Sequence, residues 1–318
     1  MRILGWFGIL FVCFVSGGAT CARREAPLPF PPPPVVLDTT PTLEQLTSVV
    51  NRTQSVQQLS TNSASVKMLS MPSLPKLGAT LNLEREKKFR LRASLPIVLG
   101  AGMDMGSNDE VFWFEVPEGI SKTLYYARHD QYRQQLNRAI LPVDPTWVTD
   151  ALGLVQIDPA TVDAGPITRD DGKYEISSTL NMPDGVYHRI CFVEPNAGYV
   201  TDQFLYSPAG KLIAESHASN HAYYDQQQCA LPHRVELKLS PAVGPPLEMR
   251  IEVGGYTVNQ LLSGDPQLFA MPTSASQMVD LTTLSGNPSV APPTAGASTP
   301  INYSANANTT LPLRGMTR

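Results

Sequence analysis

A chain of 318 residues that is 42% hydrophobic can bury a sizeable core. Only 16% of residues are charged and the net charge is -4, which excludes a nucleic-acid binder working through bulk electrostatics. The 29 prolines gather near each end and in turns, a distribution that points to one folded domain between flexible ends.

The first residues read as a targeting segment. Arg2 is followed by an apolar run from Ile3 to Val15, and then by Ser16-Gly-Gly-Ala-Thr-Cys21, the order of a secretory signal over residues 1–20. A cysteine directly after small residues resembles a bacterial lipobox, in which Cys21 would carry the lipid; Gly18 and Thr20 depart from its usual Leu and its usual Gly or Ala. A plain signal peptide cut nearby is the alternative. Such an anchor holds a chain at a membrane because each buried methylene adds about 0.8 kcal/mol. Ala22 stands where an inner-membrane retention signal would carry Asp, which points to the outer membrane, with the domain facing the periplasm. Residues 21–39, with Pro27, Pro29 and Pro31–Pro34, then form a stiff tether.

A helix is expected from Thr40-Pro41, with Thr40 as cap, or Thr42 and Gln45 as a capping box. Leu43, Leu46, Val49, Val50, Thr53, Val56 and Leu59 give it one apolar stripe that must be covered. From Ser65 to Ala127 the period becomes two. Leu81 and Leu83 alternate with Asn82 and Glu84, and Phe89, Leu91 and Ala93 with Lys88, Arg90 and Arg92. The basic run Arg85–Arg92 reads as the solvated face of a strand or as a contact for an anionic membrane. Val111–Val116 is apolar on both sides, as a core strand or a cavity wall would be.

Loose helix is expected over Gln131–Leu141, and a short helix over Pro145–Leu152 ended by Gly153. Asp170–Gly172 and Pro183–Gly185 read as hairpin turns around the strand Tyr174–Leu180. Val186–Val258 is the organising stretch, a series of short alternating segments. Val235, Leu237 and Leu239 alternate with Arg234, Glu236 and Lys238; Leu247, Met249, Ile251 and Val253 alternate with Glu248, Arg250 and Glu252. Ser240–Pro246 connects these two as a hairpin. Residues 273–318 are poor in large apolar side chains and are expected to be a disordered tail.

This order of features, with Val111–Val116, Leu231-Pro-His-Arg-Val-Glu-Leu and Phe269-Ala-Met-Pro, resembles the LolA/LolB-like lipoprotein-localisation factors. The resemblance covers residues 40–272. It implies an α+β, mainly β fold, an incomplete antiparallel β-barrel under a lid of helices, whose cavity holds acyl chains of lipids or lipoproteins. The alternation then places Phe89, Leu91, Val235, Leu237, Leu239, Leu247, Met249 and Ile251 on the cavity side, under the 43–59 stripe. One side of Val111–Val116 joins them, entered here as Trp113, although alternation leaves the Phe112 and Phe114 pair equally open.

No glycine-rich phosphate loop, nucleophile elbow or HExxH motif appears in the sequence, so neither catalysis nor a cofactor is expected. His217 and His221 lack a third ligand nearby. His188 and Cys191 are three apart on a strand and face opposite sides, which makes a metal quartet with Cys229 and His233 awkward. A Cys191–Cys229 disulfide suits an oxidising periplasm, with two buried thiols as the alternative. The expected function is an acyl-chain carrier or acceptor. The other reading is a scaffolding envelope lipoprotein with a filled barrel and a protein partner.

Overall fold

The computed structural model describes residues 30–94, 102–118, 121–134, 146–241, 246–260, 265, 267–273 and 275–283. The signal segment, Cys21 and the expected helix beyond residue 134 lie outside the described residues. The chain is mainly β. Its strands are β1 (Gln58–Met68), β2 (Leu77–Glu84), β3 (Lys88–Ser94), β4 (Gly102–Ser107), β5 (Val111–Glu118), β6 (Ser121–Arg128), β7 (Val162–Thr168), β8 (Tyr174–Met182), β9 (Gly185–Val193), β10 (Val200–Tyr206), β11 (Leu212–Tyr224), β12 (Cys229–Leu239), β13 (Leu247–Val253), β14 (Thr257–Val258) and β15 (Gln277–Asp280). They form one sheet in the order β15-β6-β5-β4-β3-β2-β1-β13-β12-β11-β10-β9-β8-β7, with β14 paired to β1. Every described pairing is antiparallel except β15 on β6. The sheet does not close among the described residues, and the expected incomplete barrel is here one large, mostly antiparallel open sheet. None of the described helices is long and apolar enough to cross a membrane.

Register assigns the faces. Leu83 pairs with Phe89 and Leu81 with Leu91; Val66 pairs with Ile251, which pairs with Val235. Paired residues project to the same side and sequence neighbours to opposite sides. One face, called inner here, therefore collects the apolar phase of β1, β2, β3, β12 and β13. The opposite phase carries charged pairs such as Arg250–Glu236 at 2.8 Å and Lys238–Glu215 at 3.1 Å, the expected wet side of an antiparallel sheet.

Helices are few and short: α1 (Leu43–Val50), α2 (His129–Gln134) and α3 (Thr146–Thr149), the last running into a wide turn over Asp150–Leu154. Of the two possible starts for α1 the structure uses the capping box. Gln45 N donates to Thr42 Oγ1 at 3.3 Å, and Thr42 N to Gln45 Oε1 at 2.9 Å. The helix ends far sooner than its stripe suggests. Asn51–Ser55 is a 3-10 turn and Gln58 already begins β1. Leu46 and Val50 pack on Tyr174, Ile176, Cys191, Val193 and Val200, while Val56 and Leu59 belong to the separate core under β1. The expected single lid is thus split, and α1 does not cover the strands that carry Phe89 and Val235.

Two ends also differ from expectation. The proline-rich segment is laid against the domain from Phe30 onward, with Val36 N and Leu37 N both donating to Asn196 O at 2.7 and 2.8 Å. Residues 275–283 are still ordered. β15 pairs in parallel with β6, and Leu281 is buried with Phe112, Ala127 and Tyr132. A four-residue strand needs no core of its own when it borrows an existing edge and inserts one leucine.

Candidate functional site

Among the described residues, the inner face assembles the largest apolar cluster, under a small cover. Phe89, Leu91, Val235, Leu237, Leu239, Met249 and Ile251 all join one cluster, each between 0 and 6% exposed, with Leu247 packed at its margin. The cover consists of Trp147, Val148, Ala151, Leu152 and Leu154, from α3 and the turn after it. Gly153 makes that turn possible. Its φ is +91°, and a Cβ there would lie 2.4 Å from Pro232 Cδ on β12.

Polar side chains pin the cover at its C-terminal end. Thr53 Oγ1 donates to Val155 O at 2.8 Å, and Asn51 both donates to Ile157 O and accepts from Ile157 N at 2.8 Å. Arg189 Nη2 donates to Gln156 O at 3.0 Å, and its other arm lies 3.5 Å from Asp150. Arg85 donates to Val56 O, Thr53 O and Leu154 O at 2.8, 3.0 and 3.4 Å. Burial lowers the pKa of this guanidinium from its ordinary value, against the pull of Asp150. By contrast, Trp147 at the other end is 5% exposed and its indole N–H finds no acceptor among the described residues. Trp147 and Val148 themselves contribute apolar packing to the inner-face cluster.

These pins escape a reading by alternation, with one exception. Arg189 occupies the buried phase of β9, in line with Tyr187, Cys191 and Val193. A charge at an apolar position marks a buried polar job. By sequence Arg85 belongs to the basic run Arg85–Arg92, and the structure dissolves that run. Lys88 pairs with Glu84 at 2.7 Å, and Arg90 and Arg92 share Asp104 at 2.7 and 3.3 Å. Arg85 turns inward.

Two site expectations need correction. Trp113 does not line the inner face. Its register partner is Gly106, whose own partner is Arg90, so all three project to the outer side, opposite Phe89 and Phe112. There the indole Nε1 donates to Asp104 Oδ1 at 3.2 Å, and a Cβ at Gly106 would sit 2.3 Å from the ring. Arg90, 3% exposed, donates from the same patch to Gln267 O and Leu268 O at 3.3 and 2.9 Å, which straps the C-terminal segment across the outer face. Phe112 and Phe114 take the inner side, near Tyr132 and Leu281.

The Cys191–Cys229 bridge is not formed, and both cysteines are buried free thiols. Strands β10 and β11 separate β9 from β12, so three strand spacings of about 4.8 Å lie between them. That is well beyond the ~7 Å limit for bridged Cα atoms. Burial pushes both thiols up to about 11. Among the histidines, His217 Nδ1 meets Asp202 Oδ1 at 2.6 Å, and Lys173 reaches the same carboxylate at 2.8 Å. His221 stacks on Tyr199 with centroids 3.9 Å apart. No group of three or more metal-ligating side chains is found among the described residues.

The chain has structural matches at low sequence identity to LolA-superfamily and lipoprotein-sorting domains. A domain described as an outer membrane lipoprotein-sorting protein, from Vibrio parahaemolyticus, shares 9% identity at a TM-score of 0.45, over 70% of this chain and 96% of that one. A LolA superfamily protein from Nitrosomonas europaea shares 10% at 0.41, over 71% and 97%. A DUF1329 family protein from Desulfovibrio piger shares 13% at 0.43, over 71% and 96%. No family model and no curated protein matches the sequence. Identities this low transfer no residue role.

Proposed function

We propose that this chain is an envelope lipoprotein, anchored through Cys21 at the periplasmic side of the outer membrane. On this reading it receives acyl chains of lipids or lipoproteins against its inner face, in their trafficking. The observation that carries this reading is the contrast between a continuous apolar face spread over β1, β2, β3, β12 and β13 and, among the described residues, a cover of one short segment. Displacing Trp147, Val148 and Leu152 exposes three large side chains, each worth about 1.5–3 kcal/mol of burial. A sixteen-carbon chain regains about 0.8 kcal/mol per methylene, roughly 12 kcal/mol in all. An acyl chain can therefore replace the cover.

The same burial supports a second reading. With its lining residues at 0–6% exposure, the face is already filled, as a scaffolding lipoprotein with a protein partner would require. Native mass spectrometry of the protein purified from membranes separates the two. Co-purifying lipid or fatty acid is expected. A lipid-free mass, together with no binding of a fluorescent fatty acid, would leave the scaffold. Val235→Phe, which adds bulk to the inner face without charge, should weaken fatty-acid binding in a folded protein.

A further inference from the structure

The first described residue of the proline-rich segment sits in an aromatic setting. The ring of Phe30 lies 4.1 Å, centroid to centroid, from the imidazole of His233 on β12. That imidazole is fixed from both sides: Nδ1 donates to Val253 O at 2.9 Å, and Nε2 accepts from the Tyr224 hydroxyl at 3.1 Å. The Tyr256 ring stands edge-on to His233 at 5.2 Å, and its hydroxyl donates to Pro232 O at 3.0 Å. The receptor for Phe30 is therefore rigid before Phe30 arrives. A second attachment follows six residues on. Both Val36 N and Leu37 N donate to Asn196 O, and Leu37 Cδ1 would stand 3.3 Å from a Cβ at Gly198, so the absence of that atom makes room for it. Between the two attachments run Pro31–Pro34, which lack N–H donors and favour an extended polyproline path of about 3.1 Å per residue.

We infer that residues 30–37 are a docked strap rather than a free spacer, and that this docking sets how far the domain stands from the membrane. The standoff rests on the proposed anchor at Cys21; the docking does not. Phe30 is nine residues on from Cys21. With the strap in place, Cys21 can lie at most about 30 Å from the Phe30 site, at 3.3–3.6 Å per residue. A tether free as far as Asp38 would reach about 60 Å. Docking also selects an orientation, because Phe30 binds at the β11–β12 turn end of the sheet. Tyr224 and Tyr256, which frame its site, are themselves packed against the inner-face cluster. The strap thus turns the aromatic margin of the apolar face towards the bilayer.

Two arms test this. In the full chain with Cys21→Ser, hydrogen exchange should show the Val36 and Leu37 amides at least about tenfold slower than in an unstructured peptide. Phe30→Asp combined with Val36→Pro should abolish the protection of the Leu37 amide and lower the thermal midpoint by only a few degrees, since both positions lie outside the core clusters. Unprotected amides in the parent would overturn the docking. In the second arm, the membrane-extracted protein carrying a donor dye at Gln226→Cys is reconstituted in phosphatidylethanolamine–phosphatidylglycerol vesicles containing an acceptor lipid. Energy transfer should be high, and should fall in the double variant. Equal transfer in the two overturns the standoff. An N-terminal peptide whose mass shows no acyl group also overturns the standoff, while the exchange arm still decides the docking.

Discussion

Trp147 is the side chain on which the cover depends, and its chemistry makes two substitutions diverge. The residue is 5% exposed and packs in the inner-face cluster, yet its indole N–H is buried without an acceptor among the described residues. Trp147→Ala removes the largest side chain of the cover and should cost about 3–5 kcal/mol, as large aromatic truncations in cores do. Trp147→Phe gives up part of the apolar area but also deletes the unpaired donor, whose burial costs about 1–3 kcal/mol. The two effects offset, so Phe should leave stability within about 1 kcal/mol of the parent. Urea denaturation with a common slope measures both. A fluorescent fatty acid titrated into the same proteins reads the function: the Ala variant, with its cover thinned, should bind at least as tightly as the parent despite being less stable. If Ala is destabilised as expected and neither protein binds the probe, the inner face is a filled core and the carrier proposal fails. If Phe proves as damaging as Ala, the argument from the unpaired indole is wrong.

Three further outcomes follow from single residues. Gly153→Ala should destabilise by several kcal/mol, because φ is +91° and the new methyl would stand 2.4 Å from Pro232 Cδ; a melt within a degree or two of the parent would refute it. Cys191 and Cys229 should both resist a maleimide in the native protein and both react in denaturant without reductant, and a native mass two protons light would indicate a bridge instead. Stability should also fall as pH drops from about 6.5 towards 3, because burial lowers His221 to about 3 in the folded protein while the unfolded chain binds its proton near 6.5. His217 works in the opposite sense. Its hydrogen bond to Asp202 raises its folded pKa, so its contribution is present at acid pH and is lost as pH rises through that folded value. His221→Phe should therefore flatten the acid slope, and His217→Asn should not.

Alternation made the sheet legible wherever one face is dry and the other wet. β3, β13 and the second half of β12 carry charge on every second residue, β2 carries small or polar residues there, and their register follows from it. The same criterion misses β1, whose Ser-Thr-Asn-Ser stretch has no contrast, and β4, where Gly102 and Gly106 leave little side chain to alternate. It also misjudged α1. Val56 and Leu59 continue the helical spacing by coincidence, because they reach the core as turn and strand residues instead. Trp113 and Phe112 could not be told apart by pattern, since both faces of β5 are buried here. One side lies under α2 and Leu281, and the other lies beside Arg90 and the C-terminal strap. Long-range covers of this kind leave no trace in local periodicity.

On the carrier proposal, the way the cover is fastened decides where the inner face opens. Hydrogen bonds from Asn51, Thr53, Arg85 and Arg189 hold the chain over 154–157, and these cannot be released without stranding buried donors, at about 1–3 kcal/mol each. Trp147 and Val148 are held by apolar packing, which an acyl chain can substitute without leaving any polar group unpaired. On that proposal, a ligand entering beneath the cover displaces Trp147 and Val148 and leaves residues 154–157 in place. The inner face of such a carrier opens by exchanging the apolar packing of Trp147 and Val148 for an acyl chain, while the hydrogen bonds at residues 154–157 are kept.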